Sequence, residues 1–485
     1  MIFYTKYLTI TNLIIFASLI FHLISPYFSI GFYAMDEHFQ ILEPLAYKLK
    51  TREANINEIW EFGSGLRPWF QTYIYLLIVK SLIFLNLENV YIWIYVIQVT
   101  GSLLGWFSLL LFYNVLKKYF SLKSTNFNNF IFFLFWFNIF LHSRTSSENL
   151  SISLFIIAFC LIILTKKSKT ILSKSFLFSG LIFGFSILIR YQVIFLIGPL
   201  FIWLIFYYKS FFKIFSLGII VNIVLLFGIY IDYLGYGYYN NTYYNYYYYN
   251  LVIGIFNNFG IEPWWFYIYQ ISIKLAPPIG AIFILSMSFY WLKNIKSFLT
   301  WITLPYFLIF CYLGHKELRF IFPIFVFTPL FLIWFLDFLA SKKKFKLKKF
   351  IKYIIVITNV IFLIICFIPA ERQIALYKFI SKQMINENLY FYEKNPYVID
   401  DLNPYFYTSS LPNIKKFISL NQIVNNNNNN TEDYYIITQK FNFYKSLINK
   451  NKCKKIYSTY PEEIISKNPN WEKRNFNWFV IKCLH

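Results

Sequence analysis

Apolar stretches of roughly 20 residues recur from one end of this chain almost to the other, and each is long enough to cross about 30 Å of hydrocarbon as a helix. They lie at about 8–32, 69–86, 90–116, 127–141, 148–165, 175–189, 191–208, 214–232, 265–292, 298–313, 320–339 and 351–369. In lipid the backbone must satisfy its own hydrogen bonds, so spanning segments are helices or closed barrels. The runs show none of the alternation a barrel needs. The expected fold class is therefore an all-α polytopic membrane protein.

Of the 485 residues, 58% are hydrophobic and 14% charged, yet the net charge is +23. A nucleic-acid partner would be the usual inference from such an excess. Here the lysines gather at the ends of apolar runs: Lys6, Lys117 and Lys118, Lys166 to Lys174, Lys209 and Lys213, Lys293 and Lys296, and "KKKFKLKK" at 342–349. That is the topology signal of membrane proteins, and it argues against nucleic acid. All these clusters share the cytoplasmic side if one of the first three runs fails to cross. The run at 69–86, which follows Pro68 and contains Lys80, is the one expected to lie at the outer surface or to dip in and return. About eleven crossings result, with the N-terminus inside and the C-terminus outside. The first run lacks a small-residue cleavage signal and is expected to be retained as a crossing.

The chain then divides into a membrane domain, 1–369, and a polar tail, 370–485. Four polar segments of the membrane domain fall on the outer face: 33–89, with amphipathic helices, 142–147, 233–263 and 314–319. Phe39, Leu42, Leu45, Ala46 and Leu49 repeat as on a helix lying on a membrane. The tail contains "NNNNNN" (425–430), expected to be a flexible loop, between strand-like stretches "YYIITQKF" and "NWFVIKCL". A small α/β domain outside the membrane is expected. Cys160, Cys311 and Cys366 read as core residues, whereas Cys453 and Cys483 pair if the tail meets an oxidising compartment. No cysteine or histidine spacing suits a structural metal, and no cofactor is expected.

Ionisable residues are scarce enough to be informative. Asp36 and Glu37 favour a helix N-terminus through its dipole, and a carboxylate at a lipid surface is also what deprotonates an alcohol there. "GHKELRF" (314–320) offers His315, Lys316 and Arg319 in one turn. It reads either as a solvated loop or as a site where an arginine fork and further donors grip phosphate. Arg190, in "FSILIRYQVIF", is costly between apolar runs unless it snorkels or faces a polar cavity. Arg144 and Glu148, in "SRTSSEN", are spaced to pair across one helical turn. The tyrosine-rich loop suits a membrane interface or, less simply, sugar stacking. Asn240-Asn241-Thr242 and Asn429-Asn430-Thr431 are sequons for N-glycosylation in a secretory pathway.

These residues resemble a known family, the dolichyl-phosphate-mannose-type α-mannosyltransferases of glycosylphosphatidylinositol-anchor and N-glycan-precursor assembly, with their bacterial relatives. "HKELRF" is similar to the family's signature, "DEHFQILE" (36–43) to its acidic first-loop motif and "WEFGSGLRPW" (60–69) to the segment that follows. "SRTSSEN", "LIRYQVIFLIGPL", "DYLGYGYY" and "GIEPWWFY" continue the series in order. Met35, Tyr191 and Glu262 stand where the family often has proline, proline and histidine. The resemblance implies a multi-helix GT-C type glycosyltransferase of lipid-phosphate sugars, with its site on the luminal or periplasmic face. The implied donor is polyprenyl (dolichyl) phosphate mannose, and the acceptor a lipid-linked glycan or glycolipid, with inversion to an α-mannoside.

By the same resemblance Asp36 is the general base and Glu37 orients acceptor or base. His315 and Arg319, with Lys316 and Arg190, bind the donor phosphate. Trp264, Trp265 and Arg67 contact sugar or lipid. A monophosphate leaving group demands a metal less than a diphosphate does, and no metal is expected. The acidic motif reads as nearer to bacterial relatives, of the inner membrane, whereas the asparagine run is more usual in eukaryotes, whose enzymes sit in the endoplasmic reticulum. The competing reading is a transporter or flippase of lipid-linked sugars, which would place ionisable residues at the midplane and often shows inverted repeats.

Overall fold

The computed structural model describes residues 9–51, 56, 59–164, 174–274, 277–417, 433–450, 453–460 and 477–483. The asparagine run, the second sequon, Lys6 and the lysines from 166 to 173 lie outside them.

Helices dominate. In chain order they are α1 (Ile10–Phe28), α2 (Met35–Phe39), α3 (Leu42–Leu49), α4 (Trp60–Gly63), α5 (Phe70–Phe84), α6 (Val90–Tyr119), α7 (Asn126–Phe133), α8 (Trp136–His142), α9 (Ser147–Leu164) and α10 (Lys174–Ile189). They continue with α11 (Ile194–Tyr208), α12 (Phe211–Tyr236), α13 (Thr242–Tyr247), α14 (Phe266–Lys274), α15 (Ile279–Lys293), α16 (Phe298–Tyr312), α17 (Phe322–Phe325), α18 (Thr328–Ser341), α19 (Phe345–Ile365), α20 (Arg372–Gln383), α21 (Tyr405–Thr408) and α22 (Phe441–Lys450). Among the described residues, five helices are long and apolar enough to cross a membrane, or seven if two bent pairs each make one span. This is a multi-pass membrane protein.

The chain forms two compact units. The first gathers the described residues of Met1–Ser29, Asn57–Val79 and Tyr95–Ile368. Its core is a phenylalanine-rich cluster around α9, which is apolar all round and almost wholly enclosed, as a helix of that pattern must be. Helices α10 and α12 pack closely because Gly180 and Gly184 are small: a Cβ on Gly184 would stand 2.5 Å from that of Val224. The run expected to cross at 127–141 is broken into α7 and α8. The break is satisfied from far away, where Asn359 accepts from the Trp136 N–H at 2.9 Å and donates to the Leu134 carbonyl at 2.8 Å. The run at 265–292 is likewise broken, into α14 and α15.

The second unit joins Ile30–Ile56 and Lys80–Ile94 to the described residues of Pro369–His485. The acidic first-loop motif thus groups with the tail. Strands β1 (Asn388–Tyr392), β2 (Ile414–Phe417), β3 (Tyr434–Thr438), β4 (Cys453–Ser458) and β5 (Phe479–Cys483) form one sheet in the order β2-β1-β3-β5-β4. Its first three strands run parallel, and β5 is antiparallel to both β3 and β4. Tyr444 stacks on Phe479 at 4.3 Å in the core beneath. Cys453 and Cys483 face each other across β4 and β5 and are disulfide-bonded, while Cys160, Cys311 and Cys366 are buried and free. The amphipathic stretch departs from expectation. Phe39, Leu42, Leu45 and Ala46 are buried within the protein, and α3 packs on α21 instead of lying on lipid.

Candidate active site

In the first unit, three arginines from distant parts of the sequence meet near one tyrosine. Arg67 lies 5.9 Å from the centre of the Tyr246 ring. Arg190 and Arg319 lie 6.0 and 5.3 Å from the ring of Phe320. All three guanidinium groups act electrostatically on Tyr246, whose hydroxyl is nonetheless raised above the usual tyrosine range, burial being the larger effect. Gln192 donates to that hydroxyl at 2.8 Å.

Each arginine carries a carboxylate. Arg67 meets Glu61 at 2.6 and 2.9 Å, and Arg319 meets Glu317 at 2.6 and 2.9 Å, both as two-pronged pairs. Arg190 meets Glu148 at 2.9 Å, the two side chains 6% and 4% exposed. Glu148 therefore does not pair with Arg144, whose Nη2 donates instead to the Ser29 carbonyl at 2.7 Å. Proximity in sequence suggested the wrong partner because both residues sit where the chain turns into α9, and Arg190 approaches from the end of α10. The Nε of Arg190 is buried and finds no hydrogen-bond partner among the described residues.

His315 extends the cluster. Its Nε2 lies 3.2 Å from Glu317 and its Nδ1 3.2 Å from the Gly260 carbonyl. Lys316 points elsewhere: its ammonium group donates to the carbonyls of Glu262, at 2.8 Å, Leu313 and Gly314. Burial lowers its pKa below the usual lysine value, and its visible work is to tie the turn to the Glu262 segment. His315 and Phe320 also line a cavity of about 400 Å³ with Tyr191, Gln192, Phe195 and Tyr246, among mainly apolar walls. Arg190 and Arg319 do not line it but stand against the ring of Phe320, which does, and cations beside an apolar cavity suit an anion with a hydrocarbon tail. Trp264 and Trp265 are exposed, at 66% and 47%, and do not line it.

Asp232, buried near the end of α12, holds the Arg67 segment in place. It accepts from the Trp69 N–H at 2.8 Å and from the Thr242 hydroxyl at 2.5 Å. The Asn240 amide donates to the Gly65 carbonyl at 3.0 Å, so both ends of the first sequon are consumed by internal bonds. Asn240 is buried, which removes it as a glycosylation acceptor in the folded chain. Asp36 and Glu37 belong to the second unit, in the first turn of α2. Asp36 is partly exposed; Glu37 is buried, with Oε1 accepting from the Tyr33 N–H at 3.3 Å.

Glu61, Gln192, Tyr246 and Asp232 were not singled out from sequence, and Glu317 stood out only as one of the charged residues of its turn. Gln192 stands two positions beyond Arg190, where helix formation begins again after a break, and that proximity was the available signal. Tyr246 is one of 42 tyrosines, most of them crowded into no pattern that marks it out.

Sequence comparison decides the lineage. The model of the Alg9-like mannosyltransferase family matches residues 13–408, most of the chain. The chain belongs to that family. Two curated relatives of this Alg9-like protein are named GPI mannosyltransferase 3. One, from Debaryomyces hansenii, is 27% identical over 68% of the chain and 60% of the relative. The other, from Candida albicans, is 29% identical over 66% of the chain and 63% of the relative. The chain thus matches less than two thirds of the length of either. Among solved structures, ArnT from Cupriavidus metallidurans bound to undecaprenyl phosphate aligns over 97% of both chains with a TM-score of 0.52 and 9% identity. That likeness shows a shared fold, the GT-C type of membrane glycosyltransferase.

Proposed function

We propose that this chain moves a mannosyl residue from a polyprenyl (dolichyl) phosphate mannose to a glycolipid acceptor, with inversion to an α-mannoside. The observation that carries the reading is an apolar cavity lined by His315 and by Phe320, against whose ring Arg190 and Arg319 stand. A lipid monophosphate needs cationic donors for its head and a hydrocarbon environment for its tail. Support comes from family membership and from the undecaprenyl phosphate held by a protein of the same fold. The names of the two yeast relatives make a glycosylphosphatidylinositol precursor the first acceptor to try.

In the proposed reaction the acceptor hydroxyl oxygen attacks C1 of the sugar while the bond from C1 to the phosphate oxygen breaks. The transition state is oxocarbenium-like. Asp36 takes the hydroxyl proton, and Glu37 steadies the acceptor or the base. His315, Arg319 and Arg190 hold the phosphate, and polyprenyl phosphate leaves with the bonding electrons. Arg67 contacts sugar or lipid. No cofactor or metal enters. The site works on the luminal or periplasmic face, where an oxidising environment would also keep the Cys453–Cys483 bond.

The test is transfer from labelled polyprenyl-phosphate mannose by purified protein, with polyprenyl phosphate and polyprenol as competing inhibitors. The phosphate should inhibit strongly and the alcohol weakly, and Arg319→Ala should blunt the difference. Lipid scrambling without transfer would favour the transporter reading instead.

A further inference from the structure

The short helix that carries Asp36 is gripped on both sides by the tail of the chain, all within the second unit. On the near side, the Ala370 N–H donates to the Ile30 carbonyl at 2.9 Å. Gly31 has a φ of +97° and would press a Cβ to 2.7 Å from the backbone nitrogen of Glu371, so only glycine fits. On the far side, His38 Nε2 lies 2.7 Å from Glu43 Oε1, both side chains being almost completely buried. The same Glu43 oxygen accepts from the Phe406 N–H at 3.0 Å. The His38 ring is stacked between Phe32, at 5.5 Å, and Tyr407, at 5.4 Å, with Phe39 edge-on at 4.9 Å.

A helix of 5 residues has little stability of its own. The contacts that its buried neighbours make with the tail hold the backbone that carries Asp36. We propose that His38, Glu43 and Tyr407 are positioning residues for mannosyl transfer: the buried His38–Glu43 pair, locked onto the tail through Phe406 and Tyr407, sets the orientation of Asp36. The tail is then part of the catalytic apparatus and not an appended module. The inference rests on the reading of Asp36 as the base, given above.

Three features make the assignment more than a packing account. His38 stands two residues after Asp36, so any tilt of its ring is passed directly to α2. One Glu43 oxygen both accepts from the tail backbone and stands against the His38 ring nitrogen, bringing the two segments together at one atom. Tyr407 supplies a flat surface and its interplanar angle to His38 is 14°, which fixes the ring plane as well as its position.

The experiment is a double-mutant cycle on transfer kinetics, using the purified full-length chain. His38→Phe keeps the stack and removes the pair with Glu43. A misplaced catalytic group loses up to about 100-fold, so His38→Phe and Glu43→Ala should each lower kcat by about 10- to 100-fold with little change in donor KM. In the Asp36→Asn background His38→Phe should cost less than about threefold more, since a residue acting through Asp36 has nothing left to position. Glu43→Gln, which still accepts from Phe406, should recover part of the loss. Tyr407→Leu, which removes the flat surface, should lower kcat more than Tyr407→Phe, which keeps it. A folding defect would lower the active fraction equally in both backgrounds, so multiplicative effects across the cycle overturn the proposal. Wild-type kcat in His38→Phe overturns it too. Full activity of Asp36→Asn would instead refute the base assignment, a failure separate from that of the clamp.

Discussion

The pair between Arg190 and Glu148 allows stability and function to be separated by substitution. Both side chains are more than nine-tenths enclosed and 2.9 Å apart. Removing one member of such a pair strands a buried charge, at a cost of about 3–5 kcal/mol. Three kcal/mol is about two factors of ten in a folding equilibrium. Glu148→Gln and Arg190→Met should therefore each lower the melting midpoint of the detergent-purified protein, by at least about 5 °C for the first unit. The double variant Arg190→Met with Glu148→Leu removes both charges, and such apolar replacements are often neutral or better. It should regain most of the lost stability. It should not regain transfer, because Arg190 is assigned to the donor phosphate and losing such a donor costs about 100- to 1,000-fold in kcat. Midpoints read by intrinsic fluorescence, and transfer rates on the same samples, give both numbers. Recovery of transfer in the double variant would refute the phosphate role. Single variants as stable as wild type would refute the account of a buried pair.

Other outcomes follow from the same geometry. Gly235→Ala would drive a Cβ to 2.1 Å from the Trp69 ring, so it should destabilise by about 1–3 kcal/mol in a thermal shift and disturb Arg67 with it. Burial raises the pKa of Glu371, so the folded chain holds its proton more tightly than the unfolded one. Stability should fall as pH rises from the ordinary carboxylate range, and Glu371→Gln should flatten that part of the pH profile. With Cys453 and Cys483 bonded, alkylation of the unfolded chain without reductant should label Cys160, Cys311 and Cys366 but spare that pair, as mass spectrometry would show.

Much of this architecture can be read from the sequence, because hydrophobic length is a local property. The spanning helices and the strands at 434–438 and 479–483 coincide with runs visible in the residues alone. What the residues conceal is long-range. The break between α7 and α8 depends on Asn359, more than 200 positions away, whose amide replaces the missing helical bonds. The face formed by Leu42, Leu45 and Ala46 has the pattern of a lipid-facing helix, and periodicity cannot say whether lipid or α21 covers it. In the site, Arg190 announces itself by the cost of burying it, but its carboxylate could be found only through the fold. Lys316 shows the converse: composition makes it a candidate phosphate ligand, and only the fold shows its ammonium group donating to backbone carbonyls.

The most direct measurement compares mannosyl transfer from polyprenyl-phosphate mannose by wild type and by Asp36→Asn, matched for melting midpoint and for the Cys453–Cys483 bond. Loss of a general base costs about 100- to 10,000-fold, so the account predicts transfer by wild type and a drop of that size in the variant. Equal rates in the two proteins would contradict it.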